Sequence, residues 1–294
     1  MSKRKTVALG LICIIAATVA SFYILLQQDS VEERTTTKIA AFNIQVFGRA
    51  KRQKEDVMTV LTKIVREFDI VLVQEIRDSS EQTAPYFLQR INEMEGPKYN
   101  YIRSERLGRT TSKEAYAYFY NSETIALIQG SDYIYNDVFE REPYIASFKS
   151  GNFDFTLVGV HTKPDDAYYE ISNLTLVVSS IQEVRPNEKD IIVMGDLNAD
   201  GKYFDEDDIL SPFRASEFNW LITNNMDTMT KTDYTYDRIV LLNTTLNHEY
   251  VAGTARVFYF DQEYGIDNAT FVGEISDHYP VFAEYKINLV DEDP

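Results

Sequence analysis

Cysteine is nearly absent from this chain: Cys13 is the single one in 294 residues. No disulfide can form within the chain, so stability must come from the packed core, which bound ions can supplement. Histidine is scarce as well, limited to His161, His248 and His278. A closed zinc site, built from thiolates and imidazoles, is nearly excluded by that shortage. Positive charge is in deficit: 29 basic residues face 46 acidic ones, a formal net charge of −17. Such a chain does not bind polyanions indiscriminately, and acting on nucleic acid would require a local basic patch or bridging cations. With 12 glycines and 8 prolines, no stretch reads as a linker, and no internal repeat is visible.

Apolar and aromatic residues are plentiful, at 44% and 13% of the chain. They suffice for one large domain or two small ones. The 20 tyrosines favour a strand-rich, packed body over disorder.

The N-terminus is a separate object. Ser2-Lys3-Arg4-Lys5 precedes an uncharged run from Thr6 to Gln28. About 20 apolar residues cross a bilayer as a helix. The basic cluster keeps the N-terminal end cytoplasmic and places the remainder outside. A cleaved signal peptide competes with this reading, because Ala17-Thr18-Val19-Ala20 offers small residues for a peptidase. The apolar run continues through Phe22 to Leu26, which favours an anchor. Residues 1–28 are therefore expected to be an anchor or signal peptide, and 29–37 a tether. Residues 38–289 form the globular domain, and 290–294 an acidic tail. Nothing in the pattern points to a protein partner, so a monomer is expected, membrane-anchored or secreted.

Periodicity orders the domain. Lys38–Ile44 and Asp69–Glu75 read as buried strands flanking a helix marked by Val57, Val60, Leu61, Ile64, Val65 and Phe68. Gln82–Met94 and residues 166–182 read as further helices, with Pro85 in a first turn. Strands are expected at Tyr99–Arg103, Ala115–Tyr120, Tyr144–Lys149, Phe153–His161 and Asp190–Asp196. Later strands are Tyr236–Leu242, Thr254–Phe260 and Val281–Ile287. Two packed sheets with helices outside fit this order.

Apolar strands recurrently end in polar groups of one kind. Asn43, Glu75, His161, Asp196 with Asn198, Asp237 and Asp277-His278 all stand at such ends. Oxygen ligands of this type suit Mg²⁺ or Ca²⁺. Singly, each would more often serve structure; together they point to a site.

Several motifs carry a family resemblance. They are Ala40-Ala41-Phe42-Asn43-Ile44, Asp69 to Asp78, Arg141-Glu142-Pro143, His161, Met194 to Asp200, Tyr236 to Val240 and Ser276-Asp277-His278-Tyr279-Pro280. In this order the chain resembles the deoxyribonuclease I family of the endonuclease/exonuclease/phosphatase superfamily. The resemblance implies an α/β (α+β) four-layered sandwich of two packed mixed or antiparallel sheets flanked by helices. It implies a metal-dependent phosphodiesterase, here an endonuclease cutting DNA to 5′-phosphate products. Its residue roles carry over as follows. Glu75, Asn43, Asp196, Asn198 and Asp277 would hold Mg²⁺ (or Mn²⁺) and the phosphate. His161 and His278 would be the acid–base pair, oriented by Glu114 and Asp237. Two family Ca²⁺ sites would fall at Asp132, Asp137, Phe139 and Glu142, and at Asp227, Thr230 and Thr232. Gln45 and Ser112 stand where the family commonly has an arginine and a tyrosine directed at DNA. Arg77, Arg109 and Arg141 are expected phosphate contacts, while Arg49, Lys51, Arg52 and Lys54 read equally as contacts or solvated charges. A phosphoesterase acting on a phospholipid head group or a phosphorylated small molecule is the alternative.

Overall fold

A computed structural model describes residues 34–132 and 138–290. The apolar run within residues 1–28, tether residues 29–33, Asp137 and tail residues 291–294 lie outside the described residues, as does the Asp132 side chain. Among the described residues no helix is long and apolar enough to cross a membrane.

The first half runs β1 (Thr36–Phe47), α1 (Arg49–Arg52), α2 (Glu55–Arg66), β2 (Ile70–Ile76), α3 (Thr83–Glu93), β3 (Tyr99–Arg103), β4 (Ala115–Asn121) and β5 (Ala126–Asp132). It continues through β6 (Tyr144–Ser150), β7 (Phe153–His161), α4 (Ala167–Val184), β8 (Ile191–Asp196) and β9 (Phe218–Trp220). The last part holds β10 (Asp237–Leu242), α5 (Asn243–Asn247), β11 (Arg256–Val257), α6 (Phe260–Tyr264), α7 (Ala269–Ile275) and β12 (Val281–Lys286).

Two six-stranded sheets result, ordered β11-β12-β1-β2-β4-β3 and β5-β6-β7-β8-β10-β9. Both are mixed. The pairs β1–β2 and β7–β8 are parallel, and their other neighbours are antiparallel. All seven residues of β2 are buried, as its continuous apolar run requires of a strand covered on both faces. The α2 stripe of Val57, Met58, Leu61, Ile64 and Val65 packs against the first sheet. Glu55 and Asp56 open that helix and Lys63 and Arg66 close it, complementing its dipole. On the other side, Ile171, Leu174, Val177 and Ile181 of α4 pack on Val158, Val160, Ile191 and Val193. The outcome is the expected four-layered sandwich.

Two features set how the sheets meet. Gly159 on β7 lies where a Cβ would stand 2.8 Å from both Leu72 and the Tyr118 hydroxyl, so the sheets approach closely there. Gln74 of β2 reaches across to the second sheet. Its Nε2 donates to Val160 O (2.5 Å) and its Oε1 accepts from the Asp196 N–H (3.2 Å).

Most expected elements lie within a residue or two of their observed ends, with corrections. Thr254–Phe260 is not a strand: only Arg256–Val257 pairs with β12, and the chain turns into α6 so that Phe260 buries against Tyr279. β5, β9 and the short helices α1, α5, α6 and α7 carry too little apolar periodicity to be read locally.

Replacing Gln74 with Leu would remove both side-chain hydrogen bonds across the sheet interface, at about 0.5–1.5 kcal/mol each. Gln74→Leu should therefore lower the guanidinium unfolding midpoint clearly. An unchanged midpoint would show that this bridge is dispensable.

Candidate active site

The polar strand ends meet because of sheet topology. β1 and β2 run parallel, so Asn43 and Glu75 emerge at the same edge. β4 and β12 run opposite to them, so the residues preceding those strands, Glu114 and Asp277-His278, return to that edge. In the second sheet β7 and β8 end at His161 and Asp196, which are register partners. Asp237 opens antiparallel β10 and is also a partner of Asp196.

Two carboxylate–imidazole pairs face each other across Asp196. Nδ1 of His161 lies 2.6 Å from Glu114 Oε1, and Nδ1 of His278 lies 2.8 Å from Asp237 Oδ2. Their Nε2 atoms stand 3.4 and 3.6 Å from the same atom, Asp196 Oδ2. The amide of Asn43 donates to that oxygen (3.0 Å) and to Glu75 Oε1 (3.3 Å). Asn198 donates from its backbone to Asp196 Oδ1 (3.0 Å) and from its amide to Thr162 O (3.1 Å). Asp277 accepts from the Gln45 amide at 2.7 Å through Oδ2.

Backbone strain concentrates here. Gln45, Val46, Glu75 and Asn198 all have positive φ, at 44°, 49°, 59° and 47°. Such residues cost of order 1–3 kcal/mol each and persist only when their surroundings fix them. The Gln45-Val46 turn directs the Val46 N–H onto Glu75 Oε2 (2.8 Å) and the Gln45 N–H onto Asn43 Oδ1 (2.9 Å).

Charge balance differs between the two imidazoles. Burial pushes the Glu114 carboxyl up, but His161, Arg141 and Arg77 outweigh it and hold the group down to about 2. Burial also opposes a proton on His161, yet Glu114 raises its proton affinity above the ordinary value while Arg141 pulls against it. His278 is pushed up to about 10: burial is outweighed by Asp237, Asp196 and Asp277. Burial raises Asp237 too, with His278 opposing. The shared proton belongs on the imidazole, which faces three carboxylates where Asp237 faces one imidazole.

The donor set fits a hard divalent cation. Ligand atoms of Asp196, Asp237 and His278 lie within 4.8 Å of one another. Two of these are already joined as a hydrogen-bonded pair, which suits Asp237 to orienting His278 instead. Glu75, Asp196 and Asp277 remain as carboxylates beside the Asn43 and Asn198 amides. Asp277 Oδ1 is a buried oxygen without a hydrogen-bond partner, as an inner-sphere ligand would be.

The expected phosphate contacts separate. Arg77 bridges Glu75 (3.1 Å) and Glu114 (3.4 Å) and stays partly exposed. Arg141 is buried and donates to the His161 and Thr162 carbonyls, both at 3.0 Å, so it braces His161 from behind. Arg109 is exposed on the loop before Glu114, and its backbone N–H donates to Glu140. Of the first expected Ca²⁺ set, Phe139 is in the second core and Glu142 is half-buried. Asp227, Thr230 and Thr232 line one concavity of about 500 Å³, and Thr230 Oγ1 lacks a hydrogen-bond partner there.

Other contributors carried little local signal. Thr228 Oγ1 accepts from the Asp237 N–H (3.1 Å). Tyr116 holds the His161 N–H with its hydroxyl (3.0 Å). Arg238, fully buried beside Asp237, donates to Ala199 O (2.9 Å) and Ile222 O (2.8 Å). Only Arg238 was findable, as the residue after Asp237.

Fold and site together define a phosphodiesterase built on two packed sheets. The profile of the Endonuclease/Exonuclease/phosphatase family matches residues 40–278. The chain is 37% identical over 257 residues to Deoxyribonuclease-1 of Bos taurus, covering 83% of this chain and 90% of that one. It is 32% identical over 278 residues to Deoxyribonuclease gamma of Homo sapiens, covering 90% of each. It is also similar in fold to an endonuclease/exonuclease/phosphatase structure from Bacteroides vulgatus, at 15% identity and a TM-score of 0.59, covering 86% of this chain and 99% of that one. The chain belongs to the endonuclease/exonuclease/phosphatase family, as a deoxyribonuclease I-like member.

Because Glu114 titrates lower in the fold than its ordinary 4.5, its contribution to stability is complete above pH 4.5 and is lost as pH falls toward 2. That window corresponds to about 3 kcal/mol. Denaturant titrations should show wild type weakening across it, with Glu114→Gln flatter. Parallel curves would count against the Glu114–His161 ion pair.

Proposed function

We propose that this protein is a divalent-metal-dependent endonuclease that hydrolyses DNA phosphodiester bonds outside the cytoplasm. The observation that carries the reading is the pair of carboxylate-held imidazoles converging on Asp196 Oδ2. The relatives named above, both deoxyribonucleases, support DNA as the substrate.

Glu75 and Asp277, with Asp196, Asn43 and Asn198 beside them, would hold Mg²⁺ (or Mn²⁺). The cation, when bound, supplies positive charge to a phosphate that gains negative charge as water adds. His161 is given the base's role, as the imidazole beside which a cation, Arg141, opposes the pull of Glu114 on its proton. It takes the proton from the attacking water while Glu114 stabilises the imidazolium that forms. His278, held by Asp237 and facing Asp196 and Asp277, suits the acid. It gives its proton to the leaving 3′ oxygen as the phosphorus–oxygen bond breaks, and a 5′-phosphate remains. Arg77, partly exposed beside Glu75, contacts the phosphate backbone. Gln45, whose amide is committed to Asp277, does not offer the charge an arginine would.

The charge-free run after Lys5 supports an uncleaved anchor or an export signal, with the catalytic domain over residues 38–289. Alkaline-washed membranes should retain the native protein; a shorter soluble form would replace the anchor with a cleaved signal.

Purified protein should nick supercoiled plasmid with Mg²⁺ and Ca²⁺ present and stop on chelation. His161→Ala and His278→Ala should each lose at least about 10²-fold in rate, with the circular dichroism spectrum unchanged. Near wild-type nicking by either variant would defeat the roles given. Release of phosphate or phosphocholine without nicking would move the protein to the phosphoesterase alternative.

A further inference from the structure

Lys51 lies outside the acid–base machinery just described, yet it turns inward toward it. Its neighbours on and beside α1 meet carboxylates: Arg52 pairs with Asp78 (3.1 Å) and Lys54 with Glu274 (3.2 Å). The Lys51 ammonium instead donates to two main-chain carbonyls, Ile44 O at 2.7 Å and Ile275 O at 2.9 Å. These carbonyls belong to segments 7 and 224 residues away in sequence, respectively. Ile44 lies between Asn43 and the strained Gln45-Val46 turn. Ile275 ends α7, one residue before Ser276.

The same two segments touch at two further points. Ser276 Oγ donates to Asn43 O at 2.7 Å, and Gln45 Nε2 donates to Asp277 Oδ2 at 2.7 Å. The three contacts form one clamp. On one side it holds the turn whose N–H groups fix Asn43 and Glu75. On the other it holds Asp277 and His278. Two consecutive non-glycine residues at positive φ, one of them β-branched, persist only under such restraint. Among the three contacts, only Lys51 brings a full charge to the carbonyls, and charge-assisted hydrogen bonds are the strong ones. Its donors point at backbone, not outward to a phosphate.

We propose that Lys51 is a positioning residue that braces the Asn43–Val46 turn against the Ile275–His278 segment and so sets the spacing of the metal-site oxygens. This inference rests on the site reading given above. Its consequence is that losing the ammonium slackens the ligand set while leaving the substrate surface intact.

The test uses the full-length protein and Lys51→Met, which keeps side-chain length without donors. The expected result is a fall in kcat of about 10- to 100-fold with KM for plasmid near wild type, and Mg²⁺ or Mn²⁺ affinity by calorimetry weakened by a similar factor. Wild-type kcat together with wild-type metal affinity would overturn the proposal, as would a lowered melting temperature with both unchanged. A raised KM with unchanged kcat would overturn it too, by making Lys51 a substrate contact. If Lys51→Met does not fold, Lys51→Gln, too short to reach both carbonyls, is judged by the same outcomes. Wild-type protein that binds metal but does not nick DNA would sink the endonuclease reading alone, since the calorimetric comparison still reads the brace.

Discussion

Glu75, Glu114, Asp196, Asp237 and Asp277 converge on one edge of the sheet pair, and their mutual repulsion is the constraint the surrounding structure answers. Two like charges 4 Å apart cost about 4 kcal/mol at an effective dielectric near 20. Each carboxylate here is met by a specific partner. Glu114 has His161, Arg141 and Arg77; Asp237 has His278; Asp196 and Glu75 share the Asn43 amide; Asp277 has the Gln45 amide. The partial charges of amides and imidazoles leave an anionic surplus, and a divalent cation is the natural complement to it.

Packing supplies the rigidity this balance needs. Gly159 lets the sheets approach until Leu72 and Tyr118 touch β7, and Gln74 stitches the active edge across the interface. Buried groups with no chemistry of their own then hold the reactive ones. Tyr116 and Arg141 hold the His161 backbone, and Thr228 holds the start of β10. The strained Gln45-Val46 turn is stable only within that framework. Its strain is local, and the contacts that hold it come from segments far apart in the chain.

Legibility from sequence followed the range of the interaction. Strands with unbroken apolar runs, such as Ile70–Val73 and Ile191–Val193, were readable because burial of both faces writes itself into consecutive residues. β11 was overestimated because Thr254–Phe260 has strand-like composition while Phe260 is recruited by Tyr279. Arg141 was expected to meet phosphate, yet two of its donors lie on the carbonyls behind His161. Lys51 looked like one more charge in a basic cluster. A side chain's type was visible, but the direction it points was not.

The sequence by itself determined the chemical inventory: two usable imidazoles, acids and amides at strand ends, no thiol in the domain, and motifs in the family's order. It also determined the alternation of strands and helices, because hydrophobic periodicity is a local property. The family resemblance already implied the pairing of Glu114 with His161 and of Asp237 with His278, but only the tertiary structure decided that both imidazoles share Asp196 and that Lys51 turns inward. Those facts depend on strand order, register and the close approach of two sheets. They are fixed by contacts between residues tens to hundreds of positions apart, whose energies no local window of sequence contains.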